Sequence, residues 1–265
     1  MSNKPTALLV VEGGKDEKTF FEHYQKAYGL DFEICCFRTN IYSLYADLKK
    51  YGFNADIKAV LGARCPEYKS ALQRKFAYTY LVFDLDAHHT KKDETRTLED
   101  IFRANIIKAH KMAQFFVDET DPTVGRLYIN YPMHESFRAC DGFNDNSYQN
   151  EIVSLYDAAH FKQYANSKKL SSIHVNSYTT ENFLSLSRLN VLKLNLLVTG
   201  QWAPLSYSEY LNQSGADNIL SYEERYITAK KAMQVLNTSL FIAVDYFGNK
   251  NQWYDSHINT PLHAQ

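Results

Sequence analysis

Nowhere in this chain does an apolar run approach the about 20 residues that a membrane-spanning helix requires, so no membrane span is expected. The N-terminal Met-Ser-Asn-Lys-Pro-Thr lacks the apolar core and small-residue cleavage site of a secretory leader, which makes the cytoplasm the expected compartment. Cysteine is sparse, and Cys35, Cys36, Cys65 and Cys140 form no CxxC pair. Cys35-Cys36 falls inside an apolar segment, which fits reduced, buried thiols. An excess of either charge is also missing. Twenty-nine basic residues face thirty acidic ones, a net charge of −1, so no global positive field announces a nucleic-acid partner. Any such binding must come from a local patch, a bound metal or a partner subunit. Internal repeats and low-complexity linkers are absent. So is the GxxxxGK[ST] phosphate loop, because Gly13-Gly14-Lys15 has neither the spacing nor the hydroxyl residue.

What is present suits an ordinary folded protein: 265 residues, 45% hydrophobic and 22% charged, enough for one large domain or a core with a smaller attachment. Twenty tyrosines are unusual. Most are expected in the core or at interfaces, where a large apolar area and one polar handle are both used, and base stacking remains open to a few.

Thr6–Val11 is an unbroken apolar run of the kind buried on both faces of a parallel sheet. Glu12-Gly13-Gly14 interrupts it, and a helical pattern follows with Phe20, Phe21, Tyr24 and Tyr28 on one side. Phe32–Phe37 predicts a second strand, after which Thr39 or Asn40 would cap a helix carrying Ile41, Leu44, Tyr45 and Leu48. Asp56–Leu61 is compatible with either a short strand or a helical turn. Tyr78–Phe83 is the third strand and ends at Asp84-Leu85-Asp86; a long helix is expected over roughly 97–116, and Leu127-Tyr128-Ile129 predicts a fourth strand closed by Pro132. This alternation predicts an α/β fold built on a parallel sheet. Beyond about Ser147 helical signals dominate, notably Ser221-Tyr-Glu-Glu224, a capping-box pattern. It would open a helix carrying Tyr222, Tyr226, Ala229, Met233, Leu236 and Leu240. The expected organisation is an α/β catalytic core over 1–146 and a mainly helical region over 147–265.

Three carboxylates stand where stability alone would not place them. Glu12 follows five apolar residues and Asp84 follows Leu-Val-Phe, so each is expected at the carboxyl end of a buried strand, the edge where open α/β sheets bind ligands. Asp84 and Asp86, two apart, would face one way from an extended segment. Gathering such acids raises repulsion and desolvation cost unless a cation neutralises them, and oxygen-only ligands favour Mg²⁺ or Mn²⁺. The plainer alternative is that Glu12 caps the next helix and the aspartates end a strand in solvent.

The pattern Leu-Val-Val-Glu12-Gly13-Gly14-Lys15-Asp16-Glu17, followed by Leu-Val-Phe-Asp84-Leu85-Asp86, resembles the Toprim domain of topoisomerases, primases and old-type nucleases. The resemblance spans about residues 6–138 and implies a Rossmann-like parallel sheet flanked by helices, with a C-terminal helical attachment. It implies a Mg²⁺ (or Mn²⁺) site held by Glu12, Asp84 and Asp86, with Asp16 or Glu17 as a further ligand. Ile-Asn130-Tyr-Pro132-Met-His-Glu135 also looks like an element of defence-associated Toprim nucleases, in which Glu135 would complete the site. The implied activity is endonucleolytic cleavage of DNA or RNA/tRNA by the toxic effector of an anti-phage, abortive-infection system. In PARIS-like systems the partner is a separately encoded ABC-type ATPase, and a homodimer is a further possible assembly. Lys15 is a candidate phosphate contact, His88 and His89 are candidates to touch the scissile phosphate or act as acid, and Glu181-Asn182 is a weaker candidate. Two rivals remain. Val-Phe-Asp84-Leu-Asp86 also resembles the start of a haloacid-dehalogenase-type phosphatase with Asp84 as nucleophile, although His88 stands where that family has Thr or Val. A catalytically silent Toprim module that only binds a partner is the other.

Overall fold

The computed structural model describes residues 6–86, 95–121, 123–250 and 252–259. The chain is an α/β fold on a mostly parallel five-stranded sheet. Its strands are β1 (Ala7–Val11), β2 (Phe32–Cys36), β3 (Tyr78–Asp84), β4 (Val117–Asp118) and β5 (Gly125–Asn130), in the order β2-β1-β3-β5-β4. All neighbours are parallel except the edge strand β4, which runs antiparallel to β5. The apolar runs become strands because nearly every residue of β1, β3 and β5 is buried, which only a sheet covered on both faces allows.

The crossovers are α1 (Lys15–Tyr28) from β1 to β2, and α2 (Ile41–Lys50), α3 (Ile57–Arg64) and α4 (Lys69–Leu72) from β2 to β3. Asn40 caps α2 by accepting from the Ser43 amide, and Asp56 caps α3, so the ambiguous 56–61 segment is a helix rather than a strand. Helix α5 (Leu98–Phe115) begins at its Thr97 cap and leads through β4 to β5.

Short 3₁₀ turns and β6 (Ile152–Ser154) lead into the helical region. It contains α6 (Phe161–Ser167), α7 (Thr180–Thr199), α8 (Tyr207–Gln213), α9 (Ala216–Lys230), β7 (Ala232–Gln234), α10 (Phe241–Phe247) and α11 (Trp253–His257). Here two expectations are corrected. Helix α9 starts at Ala216, so Ser221 is interior to it, and the chain leaves the helix at Lys231 in a left-handed conformation. Met233 lies in β7, which pairs with β6, while Leu236 and Leu240 follow β7. The apolar spacing of four and three therefore runs across two elements, and the buried face of α9 is Ile219, Leu220, Glu223 and Ile227 rather than Tyr222, Tyr226 and Ala229. The capping boxes form instead at Thr179/Asn182 and Ser206/Glu209.

The helical region does not stand apart from the sheet. One apolar cluster runs from Ala7 to Ile258. Asp245 of α10 accepts from Tyr128 Oη at 2.6 Å and Tyr210 Oη at 2.8 Å and meets Arg126 at 3.1 Å, which ties α10 and α8 to β5. Among the described residues no helix is long and apolar enough to cross a membrane.

Candidate metal centre

In the order β2-β1-β3, the chain leaves β1 toward one edge of the sheet and returns to pair on its other side. The carboxyl ends of β1 and β3 are thus the topological switch point, where the two crossovers diverge and leave a crevice. Glu12 and Asp84 stand there side by side. The Glu12 amide donates to Val82 O at 3.0 Å, continuing the ladder one residue past β1, and Glu12 Oε2 accepts from the Asp84 amide at 2.9 Å. Glu12 does not cap α1, whose N-cap is Gly14 with no side-chain cap.

Asp84 is the last residue of β3, opposite Asn130 at the end of β5, and Asn130 Nδ2 lies 3.4 Å from Asp84 Oδ1. Asn130 Oδ1 also accepts from the Ser239 amide at 3.3 Å, so the helical region helps orient it. The expected extended Asp84-Leu85-Asp86 geometry does not continue. Asp86 has φ +39, a left-handed conformation that aspartate tolerates better than most residues, while Leu85 is fully buried. Asp86 nonetheless stays within electrostatic reach of both Glu12 and Asp84.

Asp16 and Glu17 part company in the first turn of α1. The Asp16 side chain is 87% exposed and its Oδ2 is 3.9 Å from Lys162 Nζ, whereas Glu17 turns inward. Gly13 makes room for it: a Cβ there would lie 2.3 Å from Glu17 Oε1. Among the described residues Glu17 Oε2 is buried with no hydrogen-bond partner. Burial, and then the charge of Glu135, push the Glu17 carboxyl up to about 7. Burial likewise raises Glu12 well above the ordinary range, with Asp86 and Glu17 adding to it, and raises Asp84, with Glu12, Glu17 and Asp86 adding to it.

Glu135 lies on the 3₁₀ helix His134–Arg138 and is already neutralised. Its Oε1 is 2.7 Å from Lys162 Nζ of α6 and 3.8 Å from Arg138. Burial opposes its ionisation, yet the Lys162 ammonium hydrogen-bonded to it holds it below the usual range. Next to it His134 is 4% exposed, packs edge-on to Phe20 at 4.7 Å, and has no partner for either ring nitrogen among the described residues. Burial brings its pKa down to about 4, so the ring is neutral.

Among the described residues no three His, Cys, Asp or Glu side chains are already arranged to hold a metal ion. Each of three carboxylates also has a partner of its own: Glu12 the Asp84 amide, Asp84 the Asn130 side chain and Glu135 the Lys162 ammonium. The donor set nevertheless suits a hard divalent ion, because it is all oxygen, crowded, and includes one buried orphan carboxylate oxygen.

Of the other candidates, Lys15 is exposed at the start of α1, beside a cleft that also contains Arg138. His88 and His89 lie outside the described residues. Glu181 pairs with Arg188 at 2.7 Å and Asn182 completes the capping box of α7, so both serve the helix. The sequence signals passed over Lys162, Arg138 and Asn130. Lys162 sits in a helical stretch without any motif, and Asn130 carried the one available hint, a polar residue directly ending an apolar strand. No known protein family, curated protein or solved structure matches the chain.

Proposed function

We propose that the chain is a Toprim-type, Mg²⁺- or Mn²⁺-dependent nuclease. The observation that carries this is the meeting of Glu12 and Asp84 at the switch point, with Glu17 and Asp86 in electrostatic reach and Glu135 close behind. A protein without use for a cation gains nothing from desolvating several carboxylates at the edge where open sheets bind ligands. Glu12, Glu17, Asp84 and Asp86 would hold the ion, with Glu135 available once Lys162 moves; Asp16 remains at the rim. When bound, the ion supplies Lewis acidity toward a phosphoryl oxygen and an acidified water. The remaining chemistry belongs to the chain. Glu12 is placed to receive the attacking water's proton. The Asp84 amide and Asn130 fix the two central carboxylates, and Lys162 and Arg138 set positive charge beside the acids, where a phosphodiester must approach.

Assays of Glu12→Gln and Asp84→Asn on single-stranded and duplex nucleic acid, and on a small phosphomonoester, test the reading. Both variants are expected to lose phosphodiester cleavage by on the order of 100-fold or more while folding normally. If Asp84→Asn abolishes monoester hydrolysis while Glu12→Gln retains it, the phosphatase reading prevails. Calorimetry without any Mn²⁺ binding to the wild type would leave only the silent module.

A further inference from the structure

Along one side, the acids of the candidate centre border a cleft of about 480 Å³, within the roughly 300–1,000 Å³ of small-ligand sites. Its walls are the start of α1, the 3₁₀ helix His134–Arg138 and the segment 171–178 with its 3₁₀ turn Val175–Ser177. Asp16 and Glu135 are part of these walls. The charge of Glu135 is felt by both Glu17 and Asp84, so the cleft and the acid cluster share a boundary.

Much of the lining is apolar. Phe20, Phe137 and Tyr178 are buried behind it, with ring centres 4.7 Å apart for Phe20 and Phe137 and 6.4 Å apart for Phe137 and Tyr178. Ile173, on the 171–178 wall, leaves 42% of its surface uncovered. Two residues of the same lining carry orphaned polar atoms. His134 Nδ1 and Nε2 and Arg138 Nε are buried without a partner among the described residues, a condition that folded proteins rarely leave unmet. The 171–178 wall adds polar groups of its own. His174 Nδ1 accepts from the Asn176 backbone amide at 3.3 Å, which leaves Nε2 as the ring's donor. The exposed Asn176 side chain offers both a donor and an acceptor. Lys15 is exposed, and Arg138 stands 3.8 Å from Glu135.

This lining discriminates among ligands. A free anion would meet Asp16 and Glu135 as well as two cations, and a wholly apolar ligand would leave the polar groups unmet. A flat, uncharged group with apolar faces and a hydrogen-bonding edge uses both kinds of wall. A nucleobase is such a group, and a phosphodiester beside Glu135 brings one with it. In a duplex that edge is committed to its pair and the faces to stacking, so only an unpaired base is free to enter.

We infer that the cleft between α1, the 134–138 turn and the 171–178 segment receives one unpaired nucleobase of the strand cut at the candidate metal centre. The inference rests on the proposed nuclease function and names its substrate class, single-stranded or looped nucleic acid. His174 and Asn176 contact the base edge, Ile173 packs on its face, and Lys15 and Arg138 stand on the phosphate side.

The test is competition by fluorescence anisotropy, in EDTA and at low salt, between two single strands of equal length and charge. One is an oligodeoxynucleotide of mixed sequence; the other carries an abasic spacer in place of every nucleoside. Wild type is expected to bind the base-bearing strand on the order of tenfold more tightly, as the contacts of one base would give. His174→Ala/Asn176→Ala alters exposed side chains. It is expected to erase that difference and still bind the spacer strand within about twofold of wild type, which also reports that the variant is folded. Ile173→Ala is expected to shrink the difference by about threefold. Equal binding of the two strands by wild type, or a difference that persists in His174→Ala/Asn176→Ala, would overturn the cleft. So would a duplex bound as tightly as the single strand, or no binding of either strand. Binding in EDTA is independent of cleavage, so the two proposals fail separately. Cleavage with Mg²⁺ by a wild type that shows no base-dependent binding removes the cleft alone. Base-dependent binding that the double variant loses, without cleavage in Mg²⁺ or Mn²⁺, removes the nuclease alone.

Discussion

A methyl group at position 13 would occupy the space that the Glu17 carboxylate uses, with a Cβ only 2.3 Å from Oε1. The neighbour that must yield is the far end of a flexible side chain, not backbone, so the fold should tolerate the change while the site does not. Gly13→Ala is expected to leave the melting temperature within about 2 °C of wild type, equivalent to a fraction of a kcal/mol, and to weaken Mn²⁺ binding by about tenfold or more. Calorimetry on Gly13→Ala, Glu17→Ala and the double variant checks the cause. If displacement of Glu17 is the whole effect, the double variant binds no worse than Glu17→Ala; additive losses would show that Gly13 acts in some other way. The same contact separates Glu17 from Asp16, two adjacent acids that are equivalent as letters but lie on different sides of the first turn of α1.

Among the elements, α7 and α9 bury charge between them. Lys193 of α7 is fully buried and donates to the carbonyls of Tyr148, Gln149 and Glu151 at 3.1, 2.9 and 2.7 Å. Glu223 of α9 is equally buried, accepts from the Gln234 amide at 3.1 Å, and has one carboxyl oxygen without a partner among the described residues. Burial pushes its carboxyl from the ordinary 4.5 up to about 8, against the opposing pull of Lys193. Between those values the folded state therefore holds more protons than the unfolded chain. Stability contributed by protonated Glu223 is fully present below about 4.5, declines as pH rises through this window, and is gone above about 8. Glu223→Gln retains an acceptor for the Gln234 amide and cannot ionise. Relative to wild type it is expected to gain about 1 kcal/mol or more between pH 5 and pH 8.5. Urea denaturation at the two pH values measures this, and a constant difference would assign the pH dependence to other groups.

Across the whole molecule, the helical region and the sheet share a core rather than meeting at an open interface. Asp245 shows what holds them together: deleting its carboxylate would leave two tyrosine hydroxyls without their acceptor and Arg126, only 18% exposed, with the longer contacts to Glu119 at 3.7 Å and Ser214 at 3.5 Å. Asp245→Ala is expected to cost about 3–5 kcal/mol in chemical denaturation, and Asp245→Asn less. A loss below about 1 kcal/mol would mean that the tie is incidental. At the same scale, the small overall attraction for nucleic acid predicts that, under the proposed function, the isolated chain is a poor nuclease, and the resemblance to PARIS-like effectors makes a separately encoded ABC-type ATPase the proposed partner. Light scattering and co-purification from native lysate check this. Efficient Mg²⁺-dependent cleavage by a monomer would remove the partner and leave the nuclease standing.

Much of this architecture could be read from the chain itself, because the signals are local. Unbroken apolar runs such as Leu8–Val11 and Tyr80–Phe83 have few stable fates other than strands covered on both faces, and a charge that ends such a run must emerge at the sheet's edge. The same logic located Glu12 and Asp84, a cap at Thr39 or Asn40, of which the structure uses Asn40, and the start of the long helix near Thr97. It failed over 221–240, where the tyrosine-rich spacing marked neither the buried face of α9, which is Ile219, Leu220, Glu223 and Ile227, nor the point where the helix gives way to a strand. Tertiary structure alone decided that β1 and β3 are neighbours at the switch point and that Glu17 rather than Asp16 turns inward. It also decided that Lys162 reaches Glu135 and that the start of α1, the 134–138 turn and the 171–178 segment wall one cleft. The reason is that hydrophobic periodicity is written along the chain, whereas Coulomb and hydrogen-bond partners are set by distances in space between residues far apart in sequence, 72 positions in the case of Glu12 and Asp84.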